Sequence, residues 1–453
     1  MSNEVDVIVI GLGPGGESVA TELAQAGLEV VGIDKHLVGG ECPYYGCVPT
    51  KMMIRAADLL QEGRRISGMA GDSTVTADWA PVAQRITDEA TDHWDDTVAV
   101  ERLEDAGVRF VRGHGRLVGP REVEVDGETF VARRGVLLNT GTEPGVPPIA
   151  GLDETPYWTN RDAVKLEQLP GSLIVIGGGA IGAELAQAFA RFGVRVTVLE
   201  VAERILAPEE PEASAIVTKA FADEGIQVLT GVTIESVKHT DGQFSVEVGD
   251  QVLAAEKLLV AAGRRTNLGD IGLDTVGLDP QARSLDTDEH MQVSDGLWAI
   301  GDITGKGAFT HMSMYQASIA AKAILDVTDA PAADYRAVPR VTFTDPEVGS
   351  VGMTEEQARD DGLDVRVGCV DLASSSRGWI HKSGNAGLVK LVEDAAAGVL
   401  VGATAVGPSG GEILSALTVA VHARVPTSTL ASMIYAYPTF HRAIEDALKD
   451  LAS

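Results

Sequence analysis

Val5-Asp-Val-Ile-Val-Ile10 runs directly into Gly11-Leu-Gly13-Pro-Gly-Gly16, and this junction decides the fold. The first six residues are a short β-branched apolar run, the signature of a strand buried in a parallel sheet. A helical stretch, Ser18 to Ala26, comes next, then a second strand, Glu29 to Ile33, that ends on Asp34. The same order returns later. Leu173-Ile-Val-Ile176 leads into Gly177-Gly-Gly179-Ala-Ile-Gly182, a helix from Ala183 to Arg191, the strand Arg195-Val-Thr-Val-Leu199, and Glu200. In both copies the acid lies 23 positions after the first glycine. A lone G-x-G-x-x-G carries little weight in a chain with 51 glycines. Strand, glycine turn, helix, strand and acid in sequence carry much more. The first glycine makes the turn and the second lets backbone approach a pyrophosphate at a helix N-terminus. The third lets helix and strand pack closely, and the acid accepts hydrogen bonds from a ribose. The alternative is two glycine-rich turns in an ordinary α/β sheet. The doubled pattern predicts an α/β chain holding two dinucleotides.

Glu200 bears on the second nucleotide. A carboxylate there pairs with a free 2′-hydroxyl and repels a 2′-phosphate. Arg204 follows, but Glu200 and Glu203 precede it. NADH is therefore expected over NADPH.

The 453 residues fit two to four domains of about 100–200 residues each. Apolar residues at 45% and charged residues at 23% are ordinary for a globular chain, which excludes disorder for the bulk of it. Thirty-six basic against 66 acidic residues give a net charge of −30. Such a chain repels phosphate backbones and anionic lipid, so neither nucleic acid nor a membrane surface is an expected partner. No apolar run approaches the length of a transmembrane helix, and the N-terminal stretch lacks a signal-peptide pattern, so a cytoplasmic location is expected.

Three cysteines are too few for a secreted disulfide framework. Two of them, Cys42 and Cys47, sit in Gly39-Gly-Glu41-Cys42-Pro-Tyr-Tyr-Gly-Cys47-Val-Pro-Thr-Lys51. On an ideal helix, residues five apart have Cα atoms about 8–9 Å apart, whereas a disulfide wants about 4.4–6.8 Å. A Cys42–Cys47 disulfide therefore needs a distorted turn, for which Pro43 and Gly46 are suited. A strained, accessible disulfide is the reducible kind. The alternatives are a metal pair, disfavoured because no second Cys/His cluster has matching spacing, and two buried thiols. Cys369 lies in an apolar, strand-like stretch and is expected to be a buried structural thiol. Tyr44 and Tyr45, between the cysteines, either pack the turn or wall a pocket.

With these motifs assembled, the chain resembles the flavin-dependent pyridine nucleotide–disulfide oxidoreductases, a class that includes dihydrolipoamide dehydrogenase, glutathione and mycothione reductases, and mercuric reductase. The likeness runs nearly the whole length. Thr140-Gly141-Thr-Glu-Pro144 resembles the turn leaving the flavin domain, and Ala262-Gly263-Arg264-Arg-Thr-Asn267 the return crossover. Leu297-Trp-Ala-Ile-Gly301-Asp302 resembles the segment whose Asp holds the ribityl chain, and Thr310-His311 the segment along the flavin's pyrimidine edge. Pro339 to Glu347 opens what resembles the dimerisation domain. The resemblance implies FAD and NAD(H) as cofactors. It implies FAD contacts from Gly11, Gly13, Gly16, Asp34, Asp302 and His311, and cofactor contacts from Gly115, Thr140, Gly141 and Gly263. The nicotinamide nucleotide would meet Gly177, Gly179, Gly182 and Glu200. Lys51 and Glu184 match an ion pair beside the flavin. It further implies that hydride enters from NADH and leaves through a Cys42–Cys47 disulfide. Cys47 would be the charge-transfer thiolate and Cys42 the residue attacking a small disulfide substrate. No metal is implied.

One stretch departs from the pattern. Where these reductases end His-Pro-Thr-x-x-Glu, the chain has Tyr437-Pro-Thr-Phe-His441-Arg442. A phenol, with a pKa of about 10, is a poor base at neutral pH. His441 with Glu445, four residues on, could substitute. A substrate whose leaving thiol is already stable, such as a heteroaromatic disulfide, would need no proton donor. Mercuric reductase also carries tyrosine at this place, but its C-terminal cysteine pair has no counterpart among Leu448 to Ser453. Dihydrolipoamide dehydrogenase, mercuric reductase-like, quinone and transhydrogenase activities are the alternatives. The glutamate at 41 is a smaller departure, since the family often has threonine there.

The expected layout is two Rossmann-like nucleotide-binding domains and a C-terminal α+β dimerisation domain. The flavin domain would be discontinuous, residues 1–150 and 264–335, with the nicotinamide domain at 151–263 and the interface domain at 336–453. The resemblance implies a homodimer whose active site is shared between subunits.

Overall fold

A computed structural model describes residues 3–452. The chain divides into two compact units. The first holds Met1–Pro49, Gln84–Gly145 and Arg264–Tyr335. The second holds Thr50–Ala83, Val146–Gly263 and Arg336–Ser453.

In the first unit, β1 (Glu4–Ile10) lies inside an eight-stranded sheet, with β2 (Val30–Asp34) beside it and β3 (Val108–Arg112) beyond. On the other side of β1 come Glu128–Leu138, Leu297–Ala299 and Gln292–Ser294. The five strands from Leu297–Ala299 to β3 run parallel. The side chains of β1 alternate between two apolar cores. Val7 and Val9 pack with Val19 and Leu23 of α1 (Pro14–Gln25) and with Ile319 of the helix Thr310–Ile324. Ile8 and Ile10 pack with Ile33, Leu117 and Phe130 on the opposite face. Both faces are covered, so the strand reads as an unbroken apolar run rather than an alternating one.

Helix α1 begins at Pro14, four residues before the expected start. Proline has its φ preset for the first helical position and lacks only an N–H that would go unused there. The glycine motif is therefore itself the first turn. Its last glycine is fixed by space: a Cβ on Gly16 would lie 2.0 Å from Gly11 O, and one on Gly182 would lie 1.9 Å from Gly177 O.

The second unit repeats the scheme. Ser172–Ile176 lies in a parallel sheet of order Gln227–Leu229, Arg195–Leu199, Ser172–Ile176, Lys257–Val260. The helix Ala180–Arg191 follows the glycine turn. An antiparallel meander (Ile234–Thr240, Gln243–Val248, Gln251–Ala255) shares its core through Phe244 and Val246. The C-terminal part is a five-stranded antiparallel sheet packed with the helices Gly410–His422 and Ala443–Leu451.

The short helix α2 (Glu41–Tyr44) precedes α3 (Cys47–Arg64). Thr50–Ala83, expected within the flavin domain, packs with the second unit. Trp79 explains part of this: its ring lies 5.9 and 5.1 Å from those of Phe189 and Phe192, and its Nε1 donates to Leu166 O at 2.7 Å.

Cys369 is exposed, not buried as expected. It sits on Val365–Asp371, the edge strand of the C-terminal sheet. Its neighbour Gly368 faces the covering helix, where a Cβ would lie 2.1 Å from Ala447 O. Strand alternation turns Cys369 to the other face. Local composition reports that a strand is apolar, not which face the helix covers. No helix among the described residues is long and apolar enough to cross a membrane.

Candidate active site

The cysteine turn in the first unit is closed by one carbonyl. Glu41 O accepts from Tyr45 N at 2.9 Å and from Gly46 N at 2.7 Å. The second bond spans five residues, wider than an α-turn. A Cβ at Gly46 would press to 3.2 Å from Glu41 O. This is a distorted turn between Cys42 and Cys47. Cys47 is exposed, with Sγ 3.5 Å from the hydroxyl of Thr310, the first residue of the helix Thr310–Ile324. A hydroxyl and a helix N-terminus both favour a thiolate over a thiol.

Tyr44 is buried, and its carbonyl accepts from Trp94 Nε1 at 3.1 Å. Burial, helped by the negative charges of Asp96 and Glu17, pushes its phenol up to about 12. Tyr44 therefore packs the turn. Tyr45 stays partly exposed, its ring tilted against that of Tyr44.

The two motif acids are held identically. Asp34 accepts from Leu12 N at 2.7 Å and from His36 N at 2.7 Å. Glu200 accepts from Gly178 N at 2.6 Å and from Ala202 N at 2.8 Å. Each acid takes the amide one past the first glycine and the amide two past itself, so each is locked at the tip of its strand. Burial raises Asp34 above the ordinary carboxylate range, opposed by its two amide donors. Gly13 and Gly179, the middle glycines, face room: an added Cβ would meet only Asn139 Nδ2, at 3.5 Å, in the first case and nothing within 4 Å in the second. An anchored acid and an open cradle at a helix start fit a dinucleotide in each copy.

Asp302 lies in the turn Gly301–Thr304, and its Oδ2 accepts from the hydroxyl of Thr142 at 2.5 Å. Thr140 and Gly141 interlock with Asn267: Thr140 Oγ1 donates to Asn267 O at 2.9 Å and Asn267 N to Gly141 O at 3.0 Å. Gly115 is tucked against Ile10 and Ile33. Gly263 has a φ of +114°, a conformation suited to glycine. His311 is exposed and stacked on Phe309 at 5.1 Å.

In the second unit, Lys51 Nζ lies 2.7 Å from Glu184 Oε2, and the other carboxylate oxygen accepts from Phe343 N at 2.8 Å. The C-terminal residues do not form the pair weighed from sequence. His441 Nδ1 is 3.0 Å from Thr439 Oγ1. Glu445 is taken by Arg442 at 2.9 Å and Lys449 at 3.1 Å. The same Arg442 stands 5.6 Å from the ring centroid of Tyr437, which is largely exposed. Among the described residues, no group of three His, Cys, Asp or Glu could hold a metal ion. Two groups escaped the sequence reading: the Trp94 anchor, and an ion pair between Glu41 and Arg264 at 3.4 Å. The departure at Glu41 was the only signal for the latter.

A doubled dinucleotide scaffold whose first acid is followed in sequence by a cysteine pair fits a nucleotide-dependent thiol–disulfide oxidoreductase. Comparison narrows the class. Residues 5–321 match the family described as pyridine nucleotide-disulphide oxidoreductase, and residues 338–448 match its dimerisation domain. The chain is 33% identical to a dihydrolipoyl dehydrogenase of Thermus scotoductus, covering 98% of this chain and 97% of the relative. It is 30% identical to a mercuric reductase of Staphylococcus aureus, over 98% and 81%. The Cu(II) complex of the HOCl-induced flavoprotein disulfide reductase RclA from Escherichia coli superposes with a TM-score of 0.87 at 26% identity, over 99% of both chains. LpdA from Mycobacterium tuberculosis gives 0.86 at 27%, over 99% and 100%. The chain belongs to the pyridine nucleotide–disulfide oxidoreductase family of flavoproteins.

Proposed function

We propose that this protein is an FAD-dependent NADH:disulfide oxidoreductase that reduces a small disulfide, working in the cytoplasm as a homodimer with a shared active site. The observation that carries the reading is the cysteine turn, with Cys47 against the Thr310 hydroxyl at a helix start and Cys42 five residues away. FAD, when bound, supplies the two-electron relay between the nicotinamide and the cysteines. Asp34 and Asp302 would hold it, and Glu200 would hold the ribose of NADH. Cys42, as thiolate, attacks a sulfur of the substrate and expels one thiol. Cys47 then attacks Cys42 Sγ in the mixed disulfide, which frees the second thiol and leaves a Cys42–Cys47 disulfide. Tyr437 stands where the family places its proton donor, and Arg442 ties up Glu445. This favours substrates whose thiols leave as stable anions, heteroaromatic disulfides among them. On this reading the chain has three domains: flavin, nicotinamide and interface.

The test is an anaerobic NADH titration followed by a panel of disulfides, dihydrolipoamide, quinones and Hg(II). Reduction should develop a long-wavelength thiolate–flavin band, with turnover on a disulfide. Cys42→Ser should still bind FAD and accept hydride but lose at least about a thousandfold in disulfide turnover. Turnover retained in that variant would sink the dithiol route and favour direct transfer to quinones or a second nicotinamide.

A further inference from the structure

The carbonyl of Glu41 closes the cysteine turn, while its carboxylate pairs with Arg264 at 3.4 Å. Arg264 is not a loose surface cation. Its Nε donates to Thr142 Oγ1 at 2.7 Å and its Nη2 to Thr142 O at 2.8 Å. The Thr142 hydroxyl, having accepted from Arg264, donates onward to Asp302 Oδ2. Thr142 is buried, and the Glu41 and Arg264 side chains are each about three-quarters covered. Arg264–Thr266 and Thr142–Pro144 pair as a two-stranded ribbon, which fixes the guanidinium on its backbone. One chain of contacts thus runs from the residue preceding Cys42 to the acid assigned to the flavin. Threonine at 41, common in the family, carries no charge with which to make this ion pair.

We propose that Glu41 and Arg264 are positioning residues that set the charge felt by the Cys42 thiol: Arg264, held by Thr142, neutralises the carboxylate of Glu41 and keeps Cys42 able to ionise. The proposal rests on the reading of Cys42 as the attacking thiol. A carboxylate beside a thiol lowers its thiolate fraction and a cation raises it. Removal of either partner therefore acts in opposite directions. A role confined to bracing the turn would move both variants the same way.

The experiment is the rate of iodoacetamide alkylation of Cys42 at neutral pH, read by mass spectrometry on dithiothreitol-reduced holoprotein. Arg264→Gln should slow alkylation about threefold, Glu41→Gln should speed it about threefold, and the double variant should return near the starting rate. Arg264→Met repeats the loss of charge should the glutamine variant fold poorly. Changes of the same sign, or none, overturn the proposal. The readout needs no turnover. A protein that NADH cannot reduce would remove the functional reading, while the alkylation rates would still decide the charge coupling.

Discussion

Asp34 and Glu200 occupy equivalent places in two halves of one chain and accept the same two backbone amides. An acid fixed that way presents its remaining lone pairs in a set direction, and a 2′-phosphate would meet them as a like charge. Glu200→Ala is expected to lower kcat/KM for NADH by about ten- to a hundredfold, the usual loss for a hydrogen bond to a charged group. NADPH should lose less, so the ratio of the two nucleotides in steady-state kinetics is the measurement. An unchanged ratio would remove Glu200 from nucleotide choice. These acids were legible in the sequence because 23-residue spacing and strand–turn–helix order are local facts. Glu41 and Arg264 are 223 positions apart. Nothing in either neighbourhood announces the other, and only folding brings them together. Cys369 failed for a related reason: one face of an edge strand was covered and the sequence did not say which.

The helix α3 shows what element-scale reading missed. Its sequence places Cys47 at the start and Lys51 one turn on, but its later residues enter a buried charge cluster. Arg191, only 2% exposed, meets Asp58, Glu224 and Asp345 at 2.6 Å each, and Arg65 meets Asp345 at 2.7 Å. Burial, with the negative charge of Asp345 adding to it and Arg191 opposing, pushes Asp58 up to about 6. The folded protein then holds this proton more tightly than the unfolded chain, whose aspartates titrate near 4. Stability from this group is complete below about pH 4 and is lost as pH rises through about 6. Asp58 is more than a third exposed, so solvent screening reduces the effect to about 1 kcal/mol. Asp58→Asn should flatten the fall in Tm between about pH 4 and 7. A fall as steep as in the unmodified protein would assign the pH dependence elsewhere. The nucleotide strands and helices, by contrast, were legible to within a few residues, because apolar periodicity survives any partner.

At the scale of the whole molecule the net charge of −30 returns as an obstacle to self-association. A dimer carries twice that charge, so apolar surface must drive assembly against repulsion. The segment matching the dimerisation domain supports a homodimer and exposes large apolar side chains. Ile434 is 98% exposed and Trp379 76%, with Met433, Tyr437 and Val419 also exposed. A two-fold interface uses each residue twice. Covering one isoleucine is worth about 2 kcal/mol, so both copies contribute about 4 kcal/mol. Ile434→Asp removes that and adds two charges, and should weaken the dimer by about a thousandfold or more, as read by sedimentation velocity across protein concentration. Salt should act on the unmodified protein in the opposite sense. Raising ionic strength from about 0.01 to 0.15 M shortens the screening length from about 30 to 8 Å, so the dimer should tighten. A dimer that loosens with salt would mean that ion pairs rather than apolar contacts hold it, and an Ile434→Asp protein still dimeric at nanomolar concentration would place the interface on another face.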